Sequence, residues 1–418
     1  MSSLPEKGFT PKEVVDLLDS FRATDRDRKV VDWKTHCFFY TWHVNEEVSA
    51  IAEKTYLDFL GTDNMSGGVF PSVRKMRGDL VEYALELFQG SDDSTGIVTA
   101  GGTESMIVSL KCARDWARSA LPAISTPELI CPSTAHPSCE KAAELLGFSV
   151  VRVPVKSNYE ADATAIEAAI TPNTFGLVLS VCNPWYGTSD PVVNIGALAR
   201  ERNLWLHVDA CIGGYLAPFV RKLRHGIPPF SFEVEGVRSI SADLHKYGYT
   251  PKGASIAVFS RQDDAAPAFF SRKDEFIAYA TAGVSGTRGG GAIAAAWAVM
   301  NLLGERGYLD AASAVMHAAQ TVRRAVESIE DLFIFGEPQL GIVAFGSDNL
   351  NLADVAAELE DRGWIPNLFG NPPFVMLRMA PCHGAVIDDF VSALRESAAS
   401  VRSGKRSSDV EPQSYGDS

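Results

Sequence analysis

The chain has 418 residues, 46% of them apolar and 22% charged, a composition that supplies a large globular core. Lys and Arg total 38 against 52 Asp and Glu, a formal charge of −14, which speaks against a nucleic-acid or anionic-membrane partner because either calls for a basic face. Seven scattered cysteines without a CxxC pair fit a reducing cytoplasm and exclude a disulfide scaffold or a Cys-rich zinc module; no metal site is expected.

The first 75 residues read as an N-terminal arm: a short helix from Pro11 to Phe21, the aromatic segment HCFFYTWH, and a helix from about Asn45 to Leu60. A large domain over 76–305 follows, opening on an amphipathic helix from Gly78 to Phe88. Strand and helix signals then alternate: TGIVTAGG before ESMIVSLKCARDWARSAL, ELICP before SCEKAAELLG, VVRVPV before ADATAIEAAI, and TFGLVLSVCNP before NIGALARERN. LWLHVDACIGG and VRSISADLHKYG close the series. Short apolar runs with helices between them predict crossover units and a mostly parallel, buried sheet, an α/β fold. The run from Ala292 to Leu303 is Ala-rich helix and too short to span a bilayer, and the opening MSSLPEKGF lacks a secretory pattern. Residues 306–400 read as a smaller C-terminal α+β domain, and 401–418 as a polar, disordered tail.

Four features fall at strand ends, where open α/β sheets place ligands. TAGGTES puts Gly101 and Gly102 between strand and helix, suited to an anion at the helix N-terminus or simply to tight packing. His136 lies in a strand-to-helix loop. Asp209 ends an apolar strand, either capping a helix or meeting a protonated nitrogen. Lys246 stands just past the strand VRSIS, where desolvation would lower its pKa and make it a Schiff-base amine. In that chain order the four meet the needs of pyridoxal 5'-phosphate. The helix start takes the phosphate, Asp209 the pyridinium nitrogen, His136 the ring face and Lys246 the aldehyde.

The chain resembles the group II pyridoxal-phosphate decarboxylase superfamily, and within it the sphingosine-1-phosphate lyases. The resemblance is carried by VFPSVRKMRGDLV, TAGGTES, AHPSCEKAAELLG, YGTSDPV, LHVDACIGGYLAPF, FSFEVEGVRSISADLHKYGYTPKG and GTRGGGAIAAAWA. It implies the fold of type I pyridoxal-phosphate enzymes (aspartate aminotransferase-like), with Lys246 as the cofactor lysine, His136 stacked on the ring and Asp209 at its nitrogen. It further implies that Gly102, Thr103 and His245 contact the phosphate, and that Thr287 reaches the phosphate of a neighbouring subunit, hence a homodimer with shared active sites. Tyr186 resembles a tyrosine near the reacting carbon, and Tyr40 is a rough counterpart of an N-terminal substrate-contacting residue.

Two reactions remain open. Cleaving Cα–Cβ of a β-hydroxy amine or amino acid is retro-aldol chemistry, for which Tyr186 is the candidate base and Lys252 a candidate holder of a substrate phosphate or carboxylate. The alternative is L-amino-acid decarboxylation, for which Arg378 in VMLRMAPCH would hold the carboxylate with its fork. In DNMSGGVFP, Ser66 stands where the family carries a phosphate-holding His, so long-chain sphingoid phosphates are expected to be poor substrates. The expectation is a carbon–carbon lyase acting on a small amine or amino acid.

Overall fold

The computed structural model describes residues 7–26, 32–39, 42–276, 278–370 and 372–404; Tyr40 and the expected tail from 405 onward lie outside them. The helices are α1 (Pro11–Arg26), α2 (Trp33–His36), α3 (Glu46–Asp58), α4 (Pro71–Leu87), α5 (Gly102–Ala120), α6 (Ser138–Leu146) and α7 (Ala163–Ala169). They continue with α8 (Val192–Glu201), α9 (Ala217–Lys222), α10 (Gln262–Ala265), α11 (Gly290–Ser328), α12 (Leu352–Asp361) and α13 (Ile387–Arg402). Seven strands make the main sheet: β1 (Thr95–Thr99), β2 (Glu128–Pro132), β3 (Ser149–Val153), β4 (Thr174–Ser180), β5 (Trp205–Asp209), β6 (Val237–Ala242) and β7 (Ser255–Phe259).

Their order is β1-β7-β6-β5-β4-β2-β3, and only β7 runs antiparallel to its neighbours. The pairs from β6 across to β3 are all parallel, as the crossover pattern of the sequence predicts. Both faces of the sheet are covered. In β7, Ile256 and Val258 join one apolar cluster while Ala257 and Phe259 join the other. Each large side chain so buried contributes roughly 1.5–3 kcal/mol.

A hairpin of β8 (Phe269–Lys273) and β9 (Ala278–Ala282) follows, and then an antiparallel sheet of β10 (Leu332–Ile334), β11 (Ile342–Ser347), β12 (Asn367–Phe369) and β13 (Phe374–Arg378) in the order β10-β11-β13-β12. α11 breaks at Gly304, whose φ of 54° and ψ of −175° leave the helical region. α4 starts at Pro71 rather than at Gly78: proline suits a first helical position, and the buried stripe Val73, Met76, Leu80 and Ala84 is continuous through both. α13 carries the chain helically to Arg402, two residues into the segment expected to be tail.

Candidate active site

Five strands of the main sheet, β1, β2, β4, β5 and β6, end around one cavity of about 290 Å³, β4 through Cys182 and Pro184. β1 delivers Gly102 and Thr103 through the start of α5, β2 delivers His136, β5 ends on Asp209, and β6 is followed by Asp243, His245 and Lys246. The structure thus brings together six of the residues singled out from the sequence. A larger cavity of about 640 Å³, between α4, α9 and α11, shares no lining residue with it and holds none of the candidates.

The residue the sequence reading passes over is Asp243. Its carboxylate Oδ2 lies 2.8 Å from Lys246 Nζ and 3.6 Å from His245 Nε2, and its side chain is 2% exposed. Burial alone would push the Lys246 ammonium down, as the sequence argument expects. The charge of Asp243 more than reverses this, and the lysine sits above its ordinary value. The expected depressed pKa is therefore corrected by a counter-ion. The available signal was an acid three residues before the lysine, just past a strand end.

Asp243 also dictates the glycine at the helix start. A Cβ on Gly102 would lie 2.7 and 2.9 Å from the two carboxylate oxygens and 2.9 Å from Cys211 Sγ, so no larger residue fits. α5 begins without a side-chain cap, which leaves its first amides to a ligand. Asp243 Oδ1 is buried with no hydrogen-bond partner. An uncapped helix start, an amine, an opposed carboxylate and an unsatisfied buried acceptor in one cavity fit pyridoxal phosphate.

Asp209 is held by its surroundings. Oδ1 accepts from the Cys211 backbone N–H at 3.0 Å and from Ser241 Oγ at 3.5 Å, and His207 Nε2 lies 3.1 Å from that same hydroxyl. His136 takes the backbone N–H of Ser138 on Nδ1 at 3.1 Å, so the neutral ring carries its proton on Nε2. Burial pushes its pKa down and keeps it neutral. His245 donates from Nδ1 to the Ala254 carbonyl at 2.9 Å, which aims Nε2 toward Asp243.

The other described candidates do not line this cavity, although Lys252 and Arg378 are close enough to act on the site groups by charge. Tyr186 does not line this cavity. Its ring stacks on Tyr159 at 3.8 Å and on Phe374 at 5.3 Å, and burial pushes its hydroxyl pKa up, away from what a base requires. Thr287 is exposed, its Oγ1 3.5 Å from Met65 Sδ, beside the segment of Ser66 and outside its own chain's cavity. Lys252 is exposed, and its pKa is lowered by desolvation and by the charge of Lys246. Arg378 is 4% exposed on β13; Nη2 donates to the Pro184 carbonyl at 3.1 Å and Cζ lies 4.3 Å from the centre of the Phe39 ring.

Fold and site define a pyridoxal-phosphate-dependent enzyme. A family model, the pyridoxal-dependent decarboxylase conserved domain, matches residues 33–347, and the chain belongs to that family. Sphingosine-1-phosphate lyase 1 of Mus musculus is 34% identical over 405 residues, covering 96% of this chain and 70% of its own. A probable sphingosine-1-phosphate lyase of Legionella pneumophila is 31% identical with the same coverage, 96% and 70%. Among solved structures, a sphingosine-1-phosphate lyase of Burkholderia pseudomallei matches with a TM-score of 0.90 at 32% identity, over 97% of this chain and 94% of that one. A glutamate decarboxylase of Lactobacillus brevis shares the fold, with a TM-score of 0.84 at 17% identity over 96% and 95%. The protein is a pyridoxal-phosphate-dependent carbon–carbon lyase resembling sphingosine-1-phosphate lyase.

Proposed function

We propose that the protein cleaves the Cα–Cβ bond of a β-hydroxy amine or β-hydroxy amino acid by retro-aldol chemistry, releasing an aldehyde. The observation that favours this over decarboxylation is the setting of Arg378, the residue a decarboxylase would present to a substrate carboxylate. Its Nη2 donates to the Pro184 carbonyl and its guanidinium carbon lies over the ring of Phe39, which leaves less of the fork to a substrate carboxylate. Lys252, exposed near Lys246 and outside salt-bridge range of any carboxylate among the described residues, is suited to an anionic group on the substrate.

Bound in the cavity, pyridoxal phosphate supplies an electron sink for the bond to Cα that breaks. Lys246 would hold the cofactor through Nζ, Gly102, Thr103 and His245 its phosphate, His136 its ring face and Asp209 its ring nitrogen. Held charged beside Asp243, Lys246 Nζ is suited to return a proton to Cα after cleavage. Incubating the enzyme with β-hydroxy amines and with plain α-amino acids tests the reading. Aldehyde is expected from the first group, abolished by Lys246→Ala; carbon dioxide from the second without aldehyde from the first would overturn it.

We further propose a symmetric cytoplasmic homodimer in which Thr287 serves the partner's site. The apolar residues Val14, Leu18 and Phe21 of α1 and Phe269, Phe270 and Phe276 of the hairpin are exposed on the single chain, and all seven cysteines remain thiols. An active, cofactor-loaded monomer in sedimentation would contradict the dimer.

A further inference from the structure

We infer that a second cavity, beside the Lys246 site, receives the substituent on the substrate's Cβ and selects aromatic or compact apolar groups there. The inference rests on the retro-aldol reading, in which that substituent leaves with the aldehyde. The cavity measures about 450 Å³, and its walls include Tyr159, Trp185, Tyr186, Phe369 and Phe374, with Thr134 among them.

Two stretches of chain wall both cavities. In the loop after β2, Thr134 faces the aromatic cavity and His136 the cofactor cavity. In the loop after β4, Trp185 and Tyr186 line the aromatic cavity while Cys182 and Pro184 line the other. These two loops stand between the cavities, and the Cβ substituent would reach past them from a Cα engaged beside Lys246. The rings are already ordered against one another: Tyr186 lies at 24° to Tyr159 and 29° to Phe374. Such faces and edges receive a further ring with favourable stacking.

One buried polar group in the wall lacks a partner. Thr134 is 4% exposed and its hydroxyl has no hydrogen-bond partner. A buried hydroxyl left unsatisfied is costly, so an occupant that brings a polar atom to it gains affinity. Largely aromatic walls with a few polar groups among them make a specificity pocket. In the reaction the Cα–Cβ pair passes to Cα, which takes a proton. Cβ keeps its oxygen as the aldehyde carbonyl, and the hydroxyl proton passes to solvent water, one proton released for the one that Cα takes up. Atoms and charge balance, and the pocket holds the half that departs. Tyr186 thereby acts as a wall of this pocket.

The test has a kinetic arm and a binding arm, both on the cofactor-loaded enzyme. The ratio of kcat/KM for β-phenylserine to that for threonine is expected to exceed one and to fall roughly tenfold in Phe374→Ala and in Trp185→Ala. A ratio unmoved by either change would overturn the inference. In the binding arm, 3-phenylpropan-1-ol, which has no amine to engage the cofactor, is titrated calorimetrically. It should bind roughly tenfold more weakly to Phe374→Ala and roughly threefold more weakly to the near-isosteric Thr134→Val. Should neither amino acid be cleaved while the alcohol binds in this pattern, the pocket stands and the retro-aldol reading falls. No binding of the alcohol, or equal binding to all variants, overturns the pocket whatever the turnover.

Discussion

Asp243 sets the charge of Lys246, the lysine proposed to hold the cofactor. An ammonium has no lone pair, so on the proposed reading attachment of an aldehyde would wait on the neutral fraction of Lys246, and the adjacent carboxylate keeps that fraction small. Asp243→Asn removes the counter-ion and leaves burial unopposed, which lowers the lysine pKa. The pH at which cofactor attachment reaches its plateau rate, followed by visible absorbance, should therefore move down by about 1 unit or more. An unchanged profile would show that the pair does not control the amine. Breaking such a pair is also expected to cost up to about 3–5 kcal/mol of stability. Tyr186 poses the complementary case. Its ring is packed and its hydroxyl pKa raised, so Tyr186→Phe should keep the stack and leave kcat within about threefold, whereas a general base would lose roughly 10²–10⁴.

Elements bring these side chains together, and one glutamate joins two of them. Glu104, in the first turn of α5, accepts the Ala100 N–H on Oε2 at 2.6 Å and the Val284 and Ser285 N–H groups on Oε1 at 3.0 and 2.9 Å. It ties the loop leading to Thr287 onto the helix start that faces the cofactor cavity. Glu104→Ala frees three donors, two of them exposed enough to turn to water, and should destabilise by roughly 1 kcal/mol in denaturant titration, with Glu104→Gln milder because one oxygen remains. Equal effects would mean the loop is held otherwise. The sequence announces strands such as β4 and β5 because they are apolar throughout and buried. It does not announce the hairpin of β8 and β9, whose largely exposed residues carry no alternation. β7 escapes notice because it runs against the crossover pattern. The same division holds in the site. Gly102, His136, Asp209 and Lys246 each follow a strand in a recognisable motif, so their convergence is legible. Asp243 reads as an ordinary loop acid until the fold buries it. Which way Tyr186 turns from its loop is decided by the rings of Tyr159 and Phe374, and no spacing encodes that.

Three groups far apart in the chain make the stability of the whole molecule depend on pH in opposite senses. His207, between Ser239 and Ser241, and His383, which accepts from the Ala380 N–H and donates to the Cys37 carbonyl, are pushed by burial from 6.5 to about 4. Asp190, whose oxygens accept from the backbone of Ala161 and Ser180, is pushed by burial from 3.8 up to about 7. Between about pH 4 and 6.5 the unfolded chain binds two protons that the folded histidines refuse. The folded chain in turn keeps one on Asp190 that the unfolded chain releases. The histidines thus lose stability as pH falls through this window, and Asp190 loses it as pH rises. The balance of the three is one proton in favour of the unfolded state, so stability falls on acidification by about 1.4 kcal/mol per pH unit from this source. His36, His43, His136 and His245 are also lowered by burial and add in the same direction. Asp190→Asn deletes the one opposing proton while retaining a single acceptor oxygen. Its loss of stability between pH 6.5 and 4.5, read from urea midpoints with the slope m held common, should be steeper than that of the parent by about 1.4 kcal/mol per unit. A variant that merely sits lower at every pH, parallel to the parent, would mean that Asp190 is ionised in the folded protein.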